Sequence, residues 1–321
     1  GACLSQGRAQ TKSAVSYKNP VVDIAMPDPT VIKAADGYFY VYATESTRNV
    51  PIMKSKDLVE WTYCNTAFTN KTRPRFEPKA GIWAPDINYI NGKYVLYYAM
   101  SVWGGEQTCG IGVATANSPQ GPFTDHGKMF RSNEIGVQNS IDPSLLQYEG
   151  RNYLVWGSFR GIYVIELTAD GLSIMSGAKK KRIAGTAFEA VYIHKHGDYY
   201  YMFASIGSCC QGVKSTYKVV VGRSKKVWGP YKDKTGKPML KNGYSLVIGA
   251  NDHFVGNGHG SQIIQDDAGQ DWLLYHGFSR STPENGRILL LDQIKWDQEG
   301  WPYVEGGSPS YETQKAPVFN N

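Results

Sequence analysis

The sequence predicts an all-β fold, a five-bladed β-propeller that forms a single domain. Short runs of aromatic and β-branched residues, separated by Gly or Asn turns, recur along the 321 residues and are typical of strands joined in hairpins. One such unit appears five times, with its first residues 47 to 70 positions apart, which fits propeller blades with loop insertions. No long window has the periodicity of an amphipathic helix.

Each unit has a first residue, a short strand, a turn at glycine and a second strand rich in Tyr or Trp. In a propeller the first strand of each blade lines the central channel, so we expect the first residues to converge near one axis. They are Asp28, Asp86, Asp142, Glu189 and His259. The propeller is expected to span residues 17–321, after a flexible tail over residues 1–16.

The tail carries a cysteine, Cys3, followed by a polar tract. This pattern resembles a bacterial lipoprotein N-terminus, and a cloning remnant is the alternative that stays open. We therefore expect an extracytoplasmic protein, periplasmic or on the cell surface, with Cys3 as the candidate for a lipid anchor. Adjacent cysteines rarely bond to each other, so no disulfide is expected between Cys209 and Cys210.

The composition is that of a globular protein, with 13% aromatic residues and a net charge of +6. Its one dense basic run, Lys179–Arg182, is interpreted as a solvated hairpin tip rather than a nucleic-acid contact. No apolar run approaches the ~18 residues of a membrane-spanning segment. A protein without a nucleic-acid partner and without a membrane-spanning segment is therefore expected.

Several carboxylic acids converging on one channel are costly as pure structure, because like charges repel in a confined site. In an aromatic-rich cleft they favour glycoside hydrolysis, in which one carboxyl donates a proton while another activates water or attacks. The candidate sugar-stacking rings are those of Trp83, Trp103, Phe159 and Tyr217.

The ordered motifs resemble those of glycoside hydrolase family 43, and the resemblance extends from about residue 23 to residue 303. A block between the fourth and fifth units resembles the arabinanase branch of that family. The motifs are Asp28-Pro29, Trp83-Ala84-Pro85-Asp86, Ile141-Asp142-Pro143-Ser144, Phe188-Glu189-Ala190 and Gly258-His259, and the block includes Ser208-Cys209-Cys210-Gln211-Gly212 and Ser215-Thr216-Tyr217.

The resemblance implies an inverting hydrolase of arabinan, arabinoxylan or xylan chains. It implies Asp28 as the general base, Glu189 as the general acid and Asp142 as the residue that raises the pKa of the acid and orients it. Inversion requires the base and acid carboxyls to be about 6.5–9.5 Å apart. The resemblance also implies that His259 holds a cation, usually calcium, at the propeller axis. A hydrogen-bonded axial histidine is the alternative, because calcium prefers oxygen ligands.

Substrate contacts are expected from Trp83 and Trp103 by stacking, and from Asn139, Ser158, Arg223 and Arg287 by hydrogen bonds. The sequence departs from the arabinanase pattern after the third unit, where it reads Gly157-Ser158-Phe159-Arg160-Gly161-Ile162. It also departs at Val191 and around His259. We expect substrate preference to diverge at Arg160.

The function predicted from these residues is hydrolysis of α-L-arabinofuranosyl linkages, most simply those of the 1,5-linked arabinan backbone. An exo-acting arabinofuranosidase or a β-xylosidase on the same scaffold is the nearest alternative. Closure of the cleft by the loops at 236–254 or 103–109 would favour exo action. A non-catalytic sugar-binding propeller is disfavoured, because all three carboxylates are present.

Overall fold

The computed structural model describes residues 13–320, and it confirms the predicted five-bladed all-β propeller. Nearly all of its regular structure consists of antiparallel strands. The only α-helix among the described residues is α1, Ser132–Ile135. Four short 3-10 helices lie in loops, at Gly212–Lys214, Met239–Lys241, Pro283–Asn285 and Glu305–Gly307.

The first two strands lie before the first blade, and each of the first two blades is a four-stranded sheet. The leading strands are β1, Ser16–Tyr17, and β2, Val22–Ala25. Blade 1 consists of β3, Thr30–Lys33; β4, Phe39–Tyr42; β5, Pro51–Ser55; and β6, Thr62–Thr66. Blade 2 consists of β7, Gly81–Ile90; β8, Lys93–Ser101; β9, Gly110–Ala116; and β10, Thr124–Arg131.

Blades 3 and 4 repeat the same order, and blade 5 has a divided inner strand. Blade 3 consists of β11, Ser144–Tyr148; β12, Arg151–Trp156; β13, Ile162–Leu167; and β14, Lys181–Ala184. Blade 4 consists of β15, Glu189–His196; β16, Tyr199–Ile206; β17, Lys218–Ser224; and β18, Ser245–Ile248. The remaining strands are β19, Phe254–Gly258; β20, Ile264–Gln265; β21, Asp271–Ser279; β22, Ile288–Trp296; β23, Pro302–Tyr303; and β24, Gln314–Lys315.

The N-terminal region closes the ring. Strand β2 pairs with β22 and so completes the sheet of blade 5, while β1 pairs with β24 near the C-terminus. The backbone N–H of Ala14 also donates to Asp57 Oδ2 at 2.8 Å. The predicted boundary of the flexible tail is therefore wrong at its end, because residues 13–16 belong to the folded domain. The rest of that tail, including Cys3, lies outside the described residues.

The hydrophobic core lies between neighbouring blades. Separate clusters of buried side chains fill the contacts of blades 1 with 2, 2 with 3, 3 with 4, 4 with 5 and 5 with 1. In one of them Phe130 of blade 2 packs on Trp156 of blade 3, with ring centroids 5.0 Å apart. Because every blade is held on both sides, the inner strands are fixed relative to one another around the axis.

Cys209 and Cys210 form a disulfide, so the expectation that they do not bond is wrong. The pair lies in a compact loop whose ends are joined when the backbone N–H groups of Thr216 and Tyr217 donate to the Ser208 carbonyl. The turn between these anchors brings the two adjacent side chains together. Lys179–Arg182 is exposed at the outer edge of blade 3, as expected of a solvated run. Among residues 13–320, no helix is long and apolar enough to span a membrane.

Candidate active site

A cavity of about 930 Å³ opens where the inner strands begin. It gathers the three predicted carboxylates, the axial histidine and most of the predicted substrate-binding residues. Its polar lining includes Asp28, Asp142, Glu189, His259, Arg287, Asn139, Ser158, Glu106 and Arg160, and its aromatic and sulfur-containing lining includes Trp83, Trp103, Phe159, Cys209 and Cys210. This cavity is the candidate active site.

The backbone turns into each inner strand through one non-glycine residue in the left-handed region, where side chains are uncommon. These residues have φ between 39° and 58° and are Asp28, Ala84, Asp142, Ala190 and His259. The predicted equivalence of the five first residues is therefore wrong for two of them. Asp86 lies two residues beyond the turn of blade 2, and Glu189 lies one residue before the turn of blade 4.

Asp28 is held as a buried anion. Its Oδ1 is 2.9 Å from His259 Nδ1 and 3.1 Å from an Arg287 guanidinium nitrogen, and the Thr44 hydroxyl donates to Oδ2 at 2.6 Å. Burial would raise the pKa of Asp28, but Arg287, then His259, outweigh it and hold that pKa well below its usual range. An ionised carboxylate at neutral pH is what a general base requires.

Two histidines lie against Asp28 in different states. His276 is fully buried, and its Nδ1 accepts the Asp28 backbone N–H at 2.9 Å. Burial, then the Arg287 charge, keep the pKa of His276 well below its usual value, so its approach to Asp28 is not an ion pair. Burial also favours a neutral His259, but Asp28, then Asp142 and Glu189, raise the pKa of His259 to about 9.

Glu189 is positioned by two hydroxyl donors. The Ser158 hydroxyl donates to Oε1 at 2.6 Å and the Tyr217 hydroxyl to Oε2 at 2.5 Å. Burial raises the pKa of Glu189, the two hydrogen bonds lower it, and Asp28 raises it again, so that the net direction is upward. Asn139 in turn donates from Nδ2 to the Ser158 oxygen at 3.1 Å.

Asp142 connects the base and the acid. Its Oδ2 accepts the backbone N–H of Ala190 at 3.0 Å, which fixes the start of β15 beside Glu189. Burial, then the charge of Glu189, raise the pKa of Asp142 well above its usual value. Two carboxyls that repel each other titrate as a pair, and this pair retains a proton at a pH where Asp28 is ionised.

Asp86 lies deeper in the channel and serves the framework. It accepts hydrogen bonds from Asn88 Nδ2 at 2.7 Å, the Leu145 backbone at 2.9 Å and Gln262 Nε2 at 3.0 Å. Burial raises the pKa of Asp86 to about 7 despite these donors. Asp86 does not line the large cavity, so its position fits a structural role rather than a catalytic one.

The predicted aromatic contacts divide into two groups. Trp103 is 78% exposed, and its ring centroid lies 5.5 Å from that of the partly buried Trp83, so the two rings form an aromatic wall of the cavity. Phe159 lines the cavity beside them. The expectation that Tyr217 is an exposed stacking ring is wrong, because it is buried, bonded to Glu189 and stacked on His276.

The two predicted arginines also lie in different places. Arg287 lines the cavity and is paired with Asp28. Arg223 does not line the cavity, because it lies in β17, away from the axis. Its guanidinium lies 4.0 Å from the Tyr199 ring centroid and 4.1 Å from that of Trp301, and it donates to the Glu299 carbonyl. The structure therefore does not bring Arg223 together with the other predicted substrate-binding residues.

An exposed ion pair lies at one rim of the cavity. Arg160, where the sequence departs from the arabinanase pattern, has its Nε 3.0 Å from Glu106 Oε1. The contact joins a loop of blade 3 to the loop of blade 2 at residues 102–109. Residues 102, 103, 104 and 106 line the cavity, whereas no residue of the loop at 236–254 does. Of the two loops considered for closure of the cleft, only the loop at 103–109 lies at the site.

A small second cavity lies on the axis beside His259 and is lined by Asp86, Asp142, Ser144 and Gln262 among others. The Nδ1 atom of His259 faces Asp28, while Nε2 has no hydrogen-bond partner among the described residues. A carboxylate on one ring nitrogen is the usual support of a histidine that binds metal through the other. This donor set fits a cation that takes one protein nitrogen and completes its coordination with water.

The sequence missed three residues that contact the carboxylates: Thr44, Tyr217 and His276. Thr44 and Tyr217 come from loops or outer strands rather than from the inner-strand motifs. The available signal was the block Ser215-Thr216-Tyr217, which resembles the family but does not by itself indicate which side chain turns inward.

Most of the chain is similar to known glycoside hydrolases. The profile of the Glycosyl hydrolases family 43 matches residues 17–302. An extracellular exo-α-(1→5)-L-arabinofuranosidase of Cellvibrio japonicus is 36% identical over 306 residues, which cover 87% of this chain and 86% of that protein. An extracellular endo-α-(1→5)-L-arabinanase of Bacillus subtilis is also 36% identical, over 289 residues that cover 86% of each.

Solved structures agree in fold. The α-L-arabinanase of Cellvibrio cellulosa in complex with arabinohexaose superposes with a TM-score of 0.79 at 33% sequence identity, and the match covers 88% of this chain and 95% of that one. A GH43 endo-arabinanase of Bacillus licheniformis superposes with a TM-score of 0.75 at 31% identity, covering 89% of this chain and 99% of that one.

Proposed function

The chain belongs to glycosyl hydrolase family 43 and is a glycoside hydrolase, and we propose that it cleaves α-L-arabinofuranosyl linkages of 1,5-linked arabinan with inversion. The supporting observation is one cavity in which the pKa values of two carboxyls are moved apart. Asp28 is held ionised, while Glu189 is pushed toward its protonated form. Oppositely tuned carboxyls are the arrangement that acid–base glycoside hydrolysis needs.

In this mechanism Asp28 takes a proton from a water molecule, whose oxygen attacks the anomeric carbon from the face opposite the leaving group. The bond from that carbon to the glycosidic oxygen breaks, and Glu189 donates its proton to the departing oxygen. Asp142 and Glu189 share one proton, because the two buried carboxyls repel each other when both are ionised, and Asp142 also fixes the backbone beside the acid through Ala190. Arg287 and Thr44 hold Asp28 in place.

The aromatic wall formed by Trp83 and Trp103 gives a sugar chain an apolar face beside the carboxyls. Asn139 and Ser158 are already engaged with each other and with Glu189. We infer that they position the acid first and contact sugar hydroxyls second. Arabinan and arabinoxylan chains are the proposed partners.

Endo and exo action remain two forms of this proposal, because relatives of equal identity carry either name. The contact between Arg160 and Glu106 narrows one rim of the cavity, which favours short chains or chain ends. A β-xylosidase has no specific observation in its favour.

A calcium ion is proposed on the axis, held through His259 Nε2 and water. When bound, it would supply a fixed positive charge near the carboxylates. The protein is also proposed to act outside the cytoplasm, since two relatives are described as extracellular and disulfides such as Cys209–Cys210 persist in oxidising compartments. A lipid on Cys3 stays a prediction that intact mass spectrometry of the native protein tests.

The direct test follows debranched arabinan hydrolysis by proton NMR, which reads the anomeric configuration of the first product. We expect inversion. Glu189→Gln should lower kcat/KM by about 10²–10⁴-fold on arabinan, and by less on an aryl arabinofuranoside whose leaving group needs no proton. Retention of configuration, or full activity of Glu189→Gln on arabinan, would contradict the mechanism.

A further inference from the structure

A cluster of two histidines and one aspartate lies at the far end of the inner strands from the active site. His194 and His196 are near the end of β15, and because side chains alternate along a strand they lie on the same face. Asp271 begins β21 of the neighbouring blade. One ligand atom from each residue lies within 4.8 Å of the other two, and His196 Nδ1 is 3.8 Å from Asp271 Oδ2.

Trp296 holds this cluster in place, and the imidazole nitrogen atoms of the two histidines accept or donate no hydrogen bond to the described residues. The His196 ring stacks on Trp296 with centroids 3.7 Å apart and planes 4° apart, and Trp296 Nε1 donates to Asp271 Oδ2 at 2.8 Å. Within residues 13–320, neither imidazole has a hydrogen-bond partner.

We propose that His194, His196 and Asp271 form a binding site for a borderline divalent cation of the zinc class. Two imidazoles and one carboxylate suit Zn²⁺, Ni²⁺ or Cu²⁺, whereas Ca²⁺ and Mg²⁺ prefer oxygen alone. Zinc ligands lie about 2.0–2.1 Å from the metal, so the three atoms must approach to roughly 3.4 Å from one another. Small rotations of the rings achieve this, and the exposed edge of His196 leaves room for water as a fourth ligand.

The site acts as a clamp between blades rather than in hydrolysis. His194 and His196 belong to blade 4, whereas Asp271 and Trp296 belong to blade 5. His196 lies seven positions after Glu189 along β15, which at ~3.3 Å per residue places the site about 23 Å from the acid. A cation bound here stabilises the native state because the unfolded chain does not bring these residues together.

The test uses the tag-free protein after treatment with EDTA and dialysis into a buffer that contains calcium, which keeps the proposed axial site filled. Isothermal titration with zinc sulfate should show one site per chain, and zinc at about 100 times its Kd should raise Tm by roughly 3–5 °C. His196→Gln should abolish the zinc-dependent shift, whereas His253→Gln, which removes an exposed histidine stacked on Tyr311, should retain it.

Activity identifies where the zinc binds. At one equivalent of zinc the rate of arabinan hydrolysis should stay within about twofold of the rate without zinc. Zinc held by Asp28 and His259 would inhibit hydrolysis instead. No zinc-dependent shift in the wild type, or an equal shift in His196→Gln and His253→Gln, would overturn the proposal and leave a stacked ion pair as the role of the cluster. His194→Gln provides a second variant if His196→Gln does not fold.

Discussion

Tyr217→Phe tests the electrostatic account of the active site. The change removes one hydroxyl from a buried ring and keeps its stacking on His276. That hydroxyl donates to Glu189 Oε2 at 2.5 Å, and a donor to a carboxylate favours its ionised form. Without it, the pKa of the acid rises further. Because the acid must be protonated to act, the alkaline limb of the profile of kcat/KM against pH moves to higher pH.

The size of the shift follows from the energy of the lost bond. A hydrogen bond to a charged group contributes about 1.5–3 kcal/mol, and one pKa unit corresponds to about 1.36 kcal/mol. The Ser158 hydroxyl remains on Oε1 and compensates in part for the lost bond. We therefore expect the alkaline limb to move by about one pH unit, the lower end of the range that these energies give. The acid is also less well oriented, so kcat at the optimum falls as well.

The assay is the pH dependence of kcat/KM on an arabinooligosaccharide, measured for the wild type and two variants. Tyr231→Phe is the matched control, because its buried hydroxyl donates to the Val227 carbonyl and touches no carboxylate. Its alkaline limb should coincide with that of the wild type. An alkaline limb that stays in place or moves to lower pH in Tyr217→Phe would refute the reasoning.

Two further predictions concern the axis and the rim. Removing calcium with EGTA should lower both Tm and kcat/KM, and calcium but not zinc should restore them; unchanged activity after complete chelation would contradict a cation at His259. Arg160→Ala should raise activity on polymeric arabinan relative to arabinotriose by opening the rim, with little effect on stability, since an exposed ion pair contributes about 0–1 kcal/mol. Arg151→Ala, which breaks an exposed pair with Glu166 in blade 3, is the control. An equal ratio of activity on arabinan to activity on arabinotriose in both variants would argue against a role for the rim.

The arrangement of strands followed from local pattern. Each hairpin is specified by alternating aromatic and β-branched residues around a glycine turn, so five repeats were visible without any knowledge of their contacts. The predictions were wrong where the position of a side chain depends on a shift of one or two residues along a strand. Asp86 follows the turn of its strand by two residues, which keeps its side chain on the same face but moves it about 6.6 Å along the strand. This displacement takes it out of the active site.

The fold class, the family and the three acids that line one cavity, Asp28, Asp142 and Glu189, were all predictable from the sequence. The electrostatic states of these acids were not predictable, because they depend on residues distant in sequence that the fold brings into contact. Arg287 and His276 reach Asp28 across more than 240 positions, and Tyr217 reaches Glu189 from a loop. The same reason explains why the position of Arg223 was mispredicted, because its motif does not reveal that the side chain lies away from the axis. It also explains why the cluster of His194, His196 and Asp271 was not predicted. Closure of the ring brings such residues together, and no local pattern encodes it.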